Sequence, residues 1–165
     1  MIDQETLEAL LDFLDETPNK FAGSISRLSP TETRWKNSDA EFSVLENLCH
    51  LRDLELQGYT LRIERILSET EPILADFDGA RVAAESDYNS EPADLALAAF
   101  ASTRRENVRI LRSLSADQLE REGLLEGLGK VTLRQIAEKM REHDEGHLED
   151  LRVLRQQLER RPRAG

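Results

Sequence analysis

The chain contains three histidines, and two of them are spaced to act together. His143 and His147 lie four residues apart, and in a helix this spacing places the two rings on adjacent turns, with Cβ atoms about 5–6 Å apart. Both lie in the apolar stripe of a predicted helix, between Met140 and Leu151. A buried imidazole without a hydrogen-bond partner costs about 1–3 kcal/mol, so the pair needs either nearby carboxylates or a shared metal ion. The two histidines alone leave both explanations open.

The third histidine, His50, lies on another predicted helix, in a polar strip with Glu46, Asp53 and Gln57. Such a strip is typical of a solvated surface, and it becomes a site only if it faces the histidine pair. Three imidazoles would then bind one divalent ion and leave a fourth position open for water or substrate, as in catalytic zinc sites. Imidazole ligands suit zinc, nickel, copper and iron, of which zinc and nickel are the ions we expect here.

The stretch from His143 to His147 invites comparison with the helix motif of zinc proteases. That motif requires a glutamate directly after the first histidine as the general base. Here Asp144 occupies that position, and Gly146 interrupts the turn. A protease is therefore not favoured.

Two carboxylates lie close enough in sequence to support the histidines without binding the ion. Asp53 follows His50 by one helical turn and could fix its tautomer through a hydrogen bond, although solvation explains Asp53 equally well. Asp144 lies at the edge of the inward stripe of its helix and could serve as a hydrogen-bond or proton acceptor. Cys49 is rotated by about 100° from His50, which favours a small buried apolar side chain over a ligand. The patterns assign no catalytic residue.

The elements that must position these residues are helical. Four leucines share one face of the first segment: Leu7, Leu10, Leu11 and Leu14. Thr17 followed by Pro18 predicts a helix N-cap and a first helical position, so we expect two helices that meet at Pro18. Residues 29–42 are polar and predict a loop.

The other long helices begin at recognisable residues. Ser43 with Glu46, and Thr132 with Gln135, have the spacing of a capping box. The predicted ranges are Ser43 to about Glu69, Ala93 to Leu114, and Thr132 to about Glu159.

The connections decide how these helices pack. Residues 70–92 form a connection long enough to cross between helices that are not hairpin neighbours. Ser115 and Gln118 predict a short capped turn, and the glycines after it interrupt the helical pattern. No segment shows the alternation of a half-buried strand. We therefore expect an all-α chain, with residues 1–165 forming a single four-helix-bundle domain with a long crossover connection.

Charge and composition exclude several partners. The net charge is −11, and an acidic surface repels nucleic acid and anionic lipid. The longest apolar run, Leu95 to Ala101, is too short to span a bilayer. The first residues carry acids where a secretory signal would carry lysines, and the single cysteine is compatible with a reducing compartment. These features predict a cytoplasmic protein that binds neither nucleic acid nor membrane.

Four stretches carry a family pattern: residues 42–55 around His50, residues 62–78 at the end of the second helix, residues 129–133, and residues 142–148 around the histidine pair. Together they resemble the DinB/YfiT-like superfamily of metal-dependent four-helix-bundle proteins, and the likeness runs from Phe42 to Leu154. One departure is Phe42, where many relatives have tryptophan.

The resemblance implies an up-down-down-up bundle, commonly a homodimer, in which His50, His143 and His147 surround one divalent ion. Some relatives resemble thiol transferases that use low-molecular-weight thiols, and others resemble metal-dependent hydrolases. The second helix, apolar on most of its circumference, is compatible with neighbours on several sides, as in a dimer.

Two functions remain open at this point. The first is a metal-dependent enzyme, a thiol S-transferase or a hydrolase, that uses a metal-activated thiol or water on a small-molecule substrate. The alternative is a non-enzymatic, stress-related binding protein in which the metal is structural or absent. An open coordination position beneath a pocket would favour the enzyme.

Overall fold

The computed structural model describes residues 4–161, so the expectation about residues 1–3 lies outside the described residues. In chain order the elements are α1 (Gln4–Ile25), α2 (Pro30–Thr33), α3 (Val44–Leu54), a π-helical turn (Glu55–Tyr59), α4 (Thr60–Ser68), β1 (Ile73–Leu74), α5 (Gly79–Glu85), a 3₁₀ turn (Tyr88–Ser90), α6 (Ala93–Ser113), α7 (Ala116–Leu119), β2 (Glu122–Leu125), β3 (Gly129–Thr132) and α8 (Leu133–Arg160). No helix in residues 4–161 is both long and apolar enough to cross a bilayer.

The predicted four-helix bundle is confirmed. Helix α1 packs against α6 and α8, and α3 packs against the same two helices, so α1 and α3 occupy opposite corners of the bundle. The chain therefore crosses the bundle between its first and second long helices, as well as through residues 69–92.

The capping boxes start the helices at the predicted residues. The hydroxyls of Ser43 and Thr132 accept from the backbone N–H groups of Glu46 and Gln135, and both of those side chains accept from the cap backbone in return. A further box, missed in the sequence, pairs Ser29 with Glu32 and begins α2 within the predicted loop. A local two-residue exchange of hydrogen bonds needs no tertiary contact, which is why this motif is readable from sequence.

The prediction of two helices meeting at Pro18 is wrong, because α1 is continuous through Pro18. A proline inside a helix has no N–H to give to the carbonyl four residues earlier, here that of Leu14. Arg104 of α6 supplies the missing donor, with Nη1 3.2 Å from the Leu14 carbonyl oxygen. Thr17 donates its hydroxyl to the Phe13 carbonyl at 3.1 Å rather than capping a new helix.

A small sheet contradicts the expectation that the chain has no strand. β1 pairs in parallel with β2, and β2 pairs antiparallel with β3. The strand β2 does alternate between exposed and buried positions, but Gly123 occupies one buried position and hides the apolar pattern. A Cβ there would lie 2.7 Å from Leu74 Cδ1 and 3.0 Å from Ile66 Cγ1, so the close packing requires glycine.

The second helix contains an unpredicted π-helical turn at Glu55–Tyr59. The Thr60 hydroxyl donates to the Glu55 carbonyl at 2.9 Å, and the Glu55 side chain is completely buried. Turns of this kind are frequent near functional sites.

The apolar core has two parts, and the predicted histidine pair lies between them. Met140 of α8 belongs to one part, with Leu11 and Ile63. Leu151, three turns further along α8, belongs to the other part, with Phe100. Because both ends of the α8 stripe are anchored in packed core, the histidines between them are held against the bundle interior.

Candidate metal centre

The three histidines converge on one point, as the sequence analysis predicts. His50 comes from α3, and His143 and His147 come from α8. The Nε2 atom of His143 lies 3.3 Å from Nε2 of His50 and 3.2 Å from Nε2 of His147. All three candidate ligand atoms lie within 4.8 Å of one another. Bonds of about 2.0–2.1 Å from each nitrogen to one ion are compatible with this spacing.

Burial keeps these imidazoles neutral. It lowers the pKa of His143 to about 4 and that of His147 to about 3, and the neighbouring histidine rings lower both further. Burial also lowers the pKa of His50, against the opposing charge of Asp53. At neutral pH each ring therefore has an unprotonated nitrogen, which is the form that binds metal.

Asn47 orients one of the rings and was missed by the sequence analysis. Its Oδ1 lies 2.6 Å from Nδ1 of His147, and its Nδ2 donates to the Ser43 carbonyl at 2.9 Å. Because Nδ2 is the donor to Ser43, Oδ1 accepts from the Nδ1–H of His147, which leaves the Nε2 lone pair directed at the centre. The sequence signal was the three-residue spacing between Asn47 and His50, which places both on one helix face.

A glycine allows the backbone to lie against His50. Gly79 begins α5, and a Cβ at this position would lie 2.4 Å from Cε1 and 3.1 Å from Nδ1 of His50. Phe42 and Phe77 also flank the ring, with centroids 5.6 and 6.1 Å from it. The loop before α5 therefore closes one side of the centre.

We expect Gly79→Ala to displace the His50 ring and to lower the free energy of unfolding by about 1–3 kcal/mol, as overpacking does. Gly146→Ala is the control, because nothing lies within 4 Å of a Cβ at that helical position. The control should gain about 0.5–1 kcal/mol. Urea unfolding and the NMR resonances of the His50 ring measure both effects, and equal stability in the two variants would contradict the close contact.

Asp53 does not hydrogen-bond to His50. Its carboxylate accepts from the Tyr88 hydroxyl at 2.7 Å and from Nε of Arg52 at 2.8 Å. Within residues 4–161, Nδ1 of His50 has no hydrogen-bond partner. Asp53 therefore acts on His50 through its charge, and the predicted direct contact is replaced by contacts to Tyr88 and Arg52.

Asp144 also turns away from the histidines, into a buried ionic network. Its two oxygens accept from Arg104 at 2.5 and 3.1 Å, and the same guanidinium donates to Glu55 at 2.8 Å. Asn107 donates to the other Glu55 oxygen at 2.7 Å. Burial raises the pKa of Asp144, and the Arg104 charge opposes that shift.

Arg104 is the member of this network that the sequence analysis missed. It lies four residues after Phe100 and four before Val108, both fully or almost fully buried, and it is itself 1% exposed. An arginine within an apolar helical stripe was the available signal.

Cys49 is buried, as expected, and burial raises the pKa of its thiol to about 12. Because the thiolate is the reactive form, we expect the folded protein at pH 8 to react with an aromatic disulfide reagent no faster than it unfolds. The same chain in denaturant should react within seconds to minutes. Fast reaction of the folded chain would show that Cys49 is accessible.

A surface pocket of about 440 Å³ opens beside His147, and we call it the His147 pocket. Its walls are formed by Ala40, Glu41, Phe42, Asn47, His147, Asp150, Val153, Leu154 and Gln157. The pocket thus connects the histidine centre with solvent. Burial, Glu149 and Glu41 together raise the pKa of Asp150.

Comparisons with known proteins agree with this geometry. A protein of Bacillus pumilus (strain SAFR-032) named "Putative metal-dependent hydrolase" is 28% identical over 114 residues, which are 69% of this chain and 64% of the relative. YfiT from Bacillus subtilis, described as a probable metal-dependent hydrolase with an unusual four-helix bundle topology, superposes with a TM-score of 0.87. That match covers 96% of this chain and 90% of YfiT at 19% identity, so it concerns the fold. The family model of the DinB superfamily matches residues 14–151, and the chain belongs to that superfamily.

Proposed function

We propose that this chain is a divalent-metal-binding enzyme that acts on a small molecule by hydrolysis or by thiol S-transfer. The observation that carries the proposal is the convergence of three neutral imidazoles at the edge of an open pocket. The names of the Bacillus pumilus relative and of YfiT support hydrolysis. The resemblance to thiol-using relatives supports S-transfer at the same centre.

The donor set fits a divalent ion. His50, His143 and His147 would bind it through Nε2, and zinc and nickel are the ions we propose for three imidazoles. Within residues 4–161, no fourth histidine, cysteine or carboxylate joins the cluster. When bound, such an ion supplies Lewis-acid chemistry and lowers the pKa of a water or thiol in its open position.

The chain's own residues prepare the site for that chemistry. Asn47 holds the His147 ring in the tautomer that presents Nε2. Phe42 and Phe77 exclude water from the His50 side, and the His147 pocket admits the substrate from the other. A pocket at an incomplete ligand set favours the enzyme over a structural ion, whose site would be closed.

Two further properties are proposals that follow from the family likeness. We propose a homodimer, with a low-molecular-weight thiol as a candidate substrate, and a cytoplasmic location. The apolar circumference of the second helix no longer supports the dimer, because Leu48, Tyr59 and Ile66 are buried within the chain itself.

The test is metal binding by protein purified without a polyhistidine tag. Elemental analysis should find one zinc or nickel per chain, and calorimetric titration of the stripped protein should return the same stoichiometry. Asn47→Ala should weaken binding by about 10–100-fold, because it removes the group that orients a ligand. Asn37→Ala, an exposed asparagine in the loop after α2, is the matched control and should bind like wild type. A chain that binds neither ion, or an Asn47→Ala variant that matches the control, would contradict the proposal.

A further inference from the structure

The His147 pocket is edged by two carboxylates and by no cation. Glu41 comes from the loop before α3 and Asp150 from α8, and the pocket walls include neither lysine nor arginine. Asp150 lies beside the centre itself, with Oδ2 3.8 Å from Nδ1 of His147. Any substrate that reaches the histidines through this pocket passes both carboxylates.

These carboxylates differ from their neighbours in being unpaired. Within residues 4–161, neither Glu41 nor Asp150 forms a salt bridge with lysine or arginine. Their neighbours do: Glu46 pairs with Lys36 at 3.0 Å and Glu149 pairs with Arg152 at 2.6 Å. His147 does not neutralise Asp150, since the ring is uncharged at neutral pH. Two negative charges are therefore uncompensated at the entrance.

A third acceptor points to the same ligand chemistry. Oε1 of Gln157, in the pocket wall, is buried and has no hydrogen-bond partner within the described part of the chain. A carbonyl oxygen only accepts hydrogen bonds, as does an ionised carboxylate. The polar groups at Glu41, Asp150 and Gln157 thus call for hydrogen-bond donors, and Val153 and Leu154 add an apolar wall.

We propose that the His147 pocket selects a small-molecule substrate that carries a protonated amine on a short apolar body. The ammonium group would lie between Glu41 and Asp150, and the reacting group would point to the histidine centre. An anionic substrate would meet two unpaired carboxylates on a chain of net charge −11. This inference names the substrate class for the proposed function and rests on it.

Three small thiols that differ only in charge test the proposal. Cysteamine is a cation, 2-mercaptoethanol is neutral and 3-mercaptopropionate is an anion at neutral pH. On cobalt(II)-loaded protein, the thiolate-to-metal absorption band measures binding of each. We expect cysteamine to bind about tenfold more tightly than 3-mercaptopropionate, a factor typical of two partly exposed charge contacts.

The double variant Glu41→Gln/Asp150→Asn should abolish that preference and leave the affinity for 2-mercaptoethanol unchanged. The control Glu64→Gln/Glu106→Gln removes two exposed charges elsewhere and should keep the preference. Equal binding of the charged thiols by wild type, or a preference that survives in the double variant, would overturn the substrate class and leave the metal site standing. If no thiol binds, including the neutral one, the open position of the proposed function fails and the inference fails with it.

Discussion

Replacing Arg104 by methionine should lower the free energy of unfolding by about 3–5 kcal/mol, the cost of removing one partner from a buried ion pair. The guanidinium is 1% exposed and donates to Asp144, to Glu55 and to the carbonyl of Leu14. Methionine fills similar volume but donates nothing, so two carboxylates and one carbonyl would be buried without their donor. Urea unfolding followed by circular dichroism measures the loss.

The control for this prediction is the neighbouring residue. Arg105→Met changes the same residue type on the same helix, but Arg105 is exposed, and the change should stay within about 0.5 kcal/mol of wild type. A second variant isolates the helix contribution: Pro18→Ala restores an N–H for the Leu14 carbonyl, so Arg104→Met should cost less in that background. A loss below about 1 kcal/mol for Arg104→Met alone would show that the network does not stabilise the bundle.

His147→Ala should abolish tight metal binding and leave the bundle folded. The ring supplies one of three converging nitrogens, so the ligand set falls to two. Folding should persist because Leu151 and Leu154 beyond it, and Met140 before it, remain packed in the core. A cavity cost of a few kcal/mol is offset in part, because the substitution also removes a buried polar ring.

The comparison that separates the two function classes is wild type stripped by chelator. Metal titration and thermal melts of stripped wild type, His147→Ala and the exposed control Gln156→Ala should show three folded chains, of which only His147→Ala fails to bind the ion. A structural ion contributes folding free energy directly, so its removal would unfold the chain. If the stripped wild type is unfolded at room temperature, the structural reading is correct and the enzyme loses its main physical support.

Local patterns determined much of this protein. The capping boxes at Ser43 and Thr132, each an exchange between residues three apart, set the starts of α3 and α8. The spacing of His143 and His147 within an apolar stripe identified half of the metal centre, because helical geometry alone places the two rings together. Residues 69–92 predicted the crossover, since a hairpin needs far fewer residues.

The tertiary structure decided what depends on contacts between distant segments. Pro18 ended a helix by every local rule, and only a donor from Arg104, far away in sequence, keeps α1 intact. Asp53 and Asp144 were placed correctly beside their histidines along the chain, yet partners on other helices draw both carboxylates elsewhere. Whether His50 faces solvent or the histidine pair is likewise set by the packing of α3 against α8. Periodicity reports which face of a helix is apolar, but the partner that a buried polar group finds is fixed only when the helices meet.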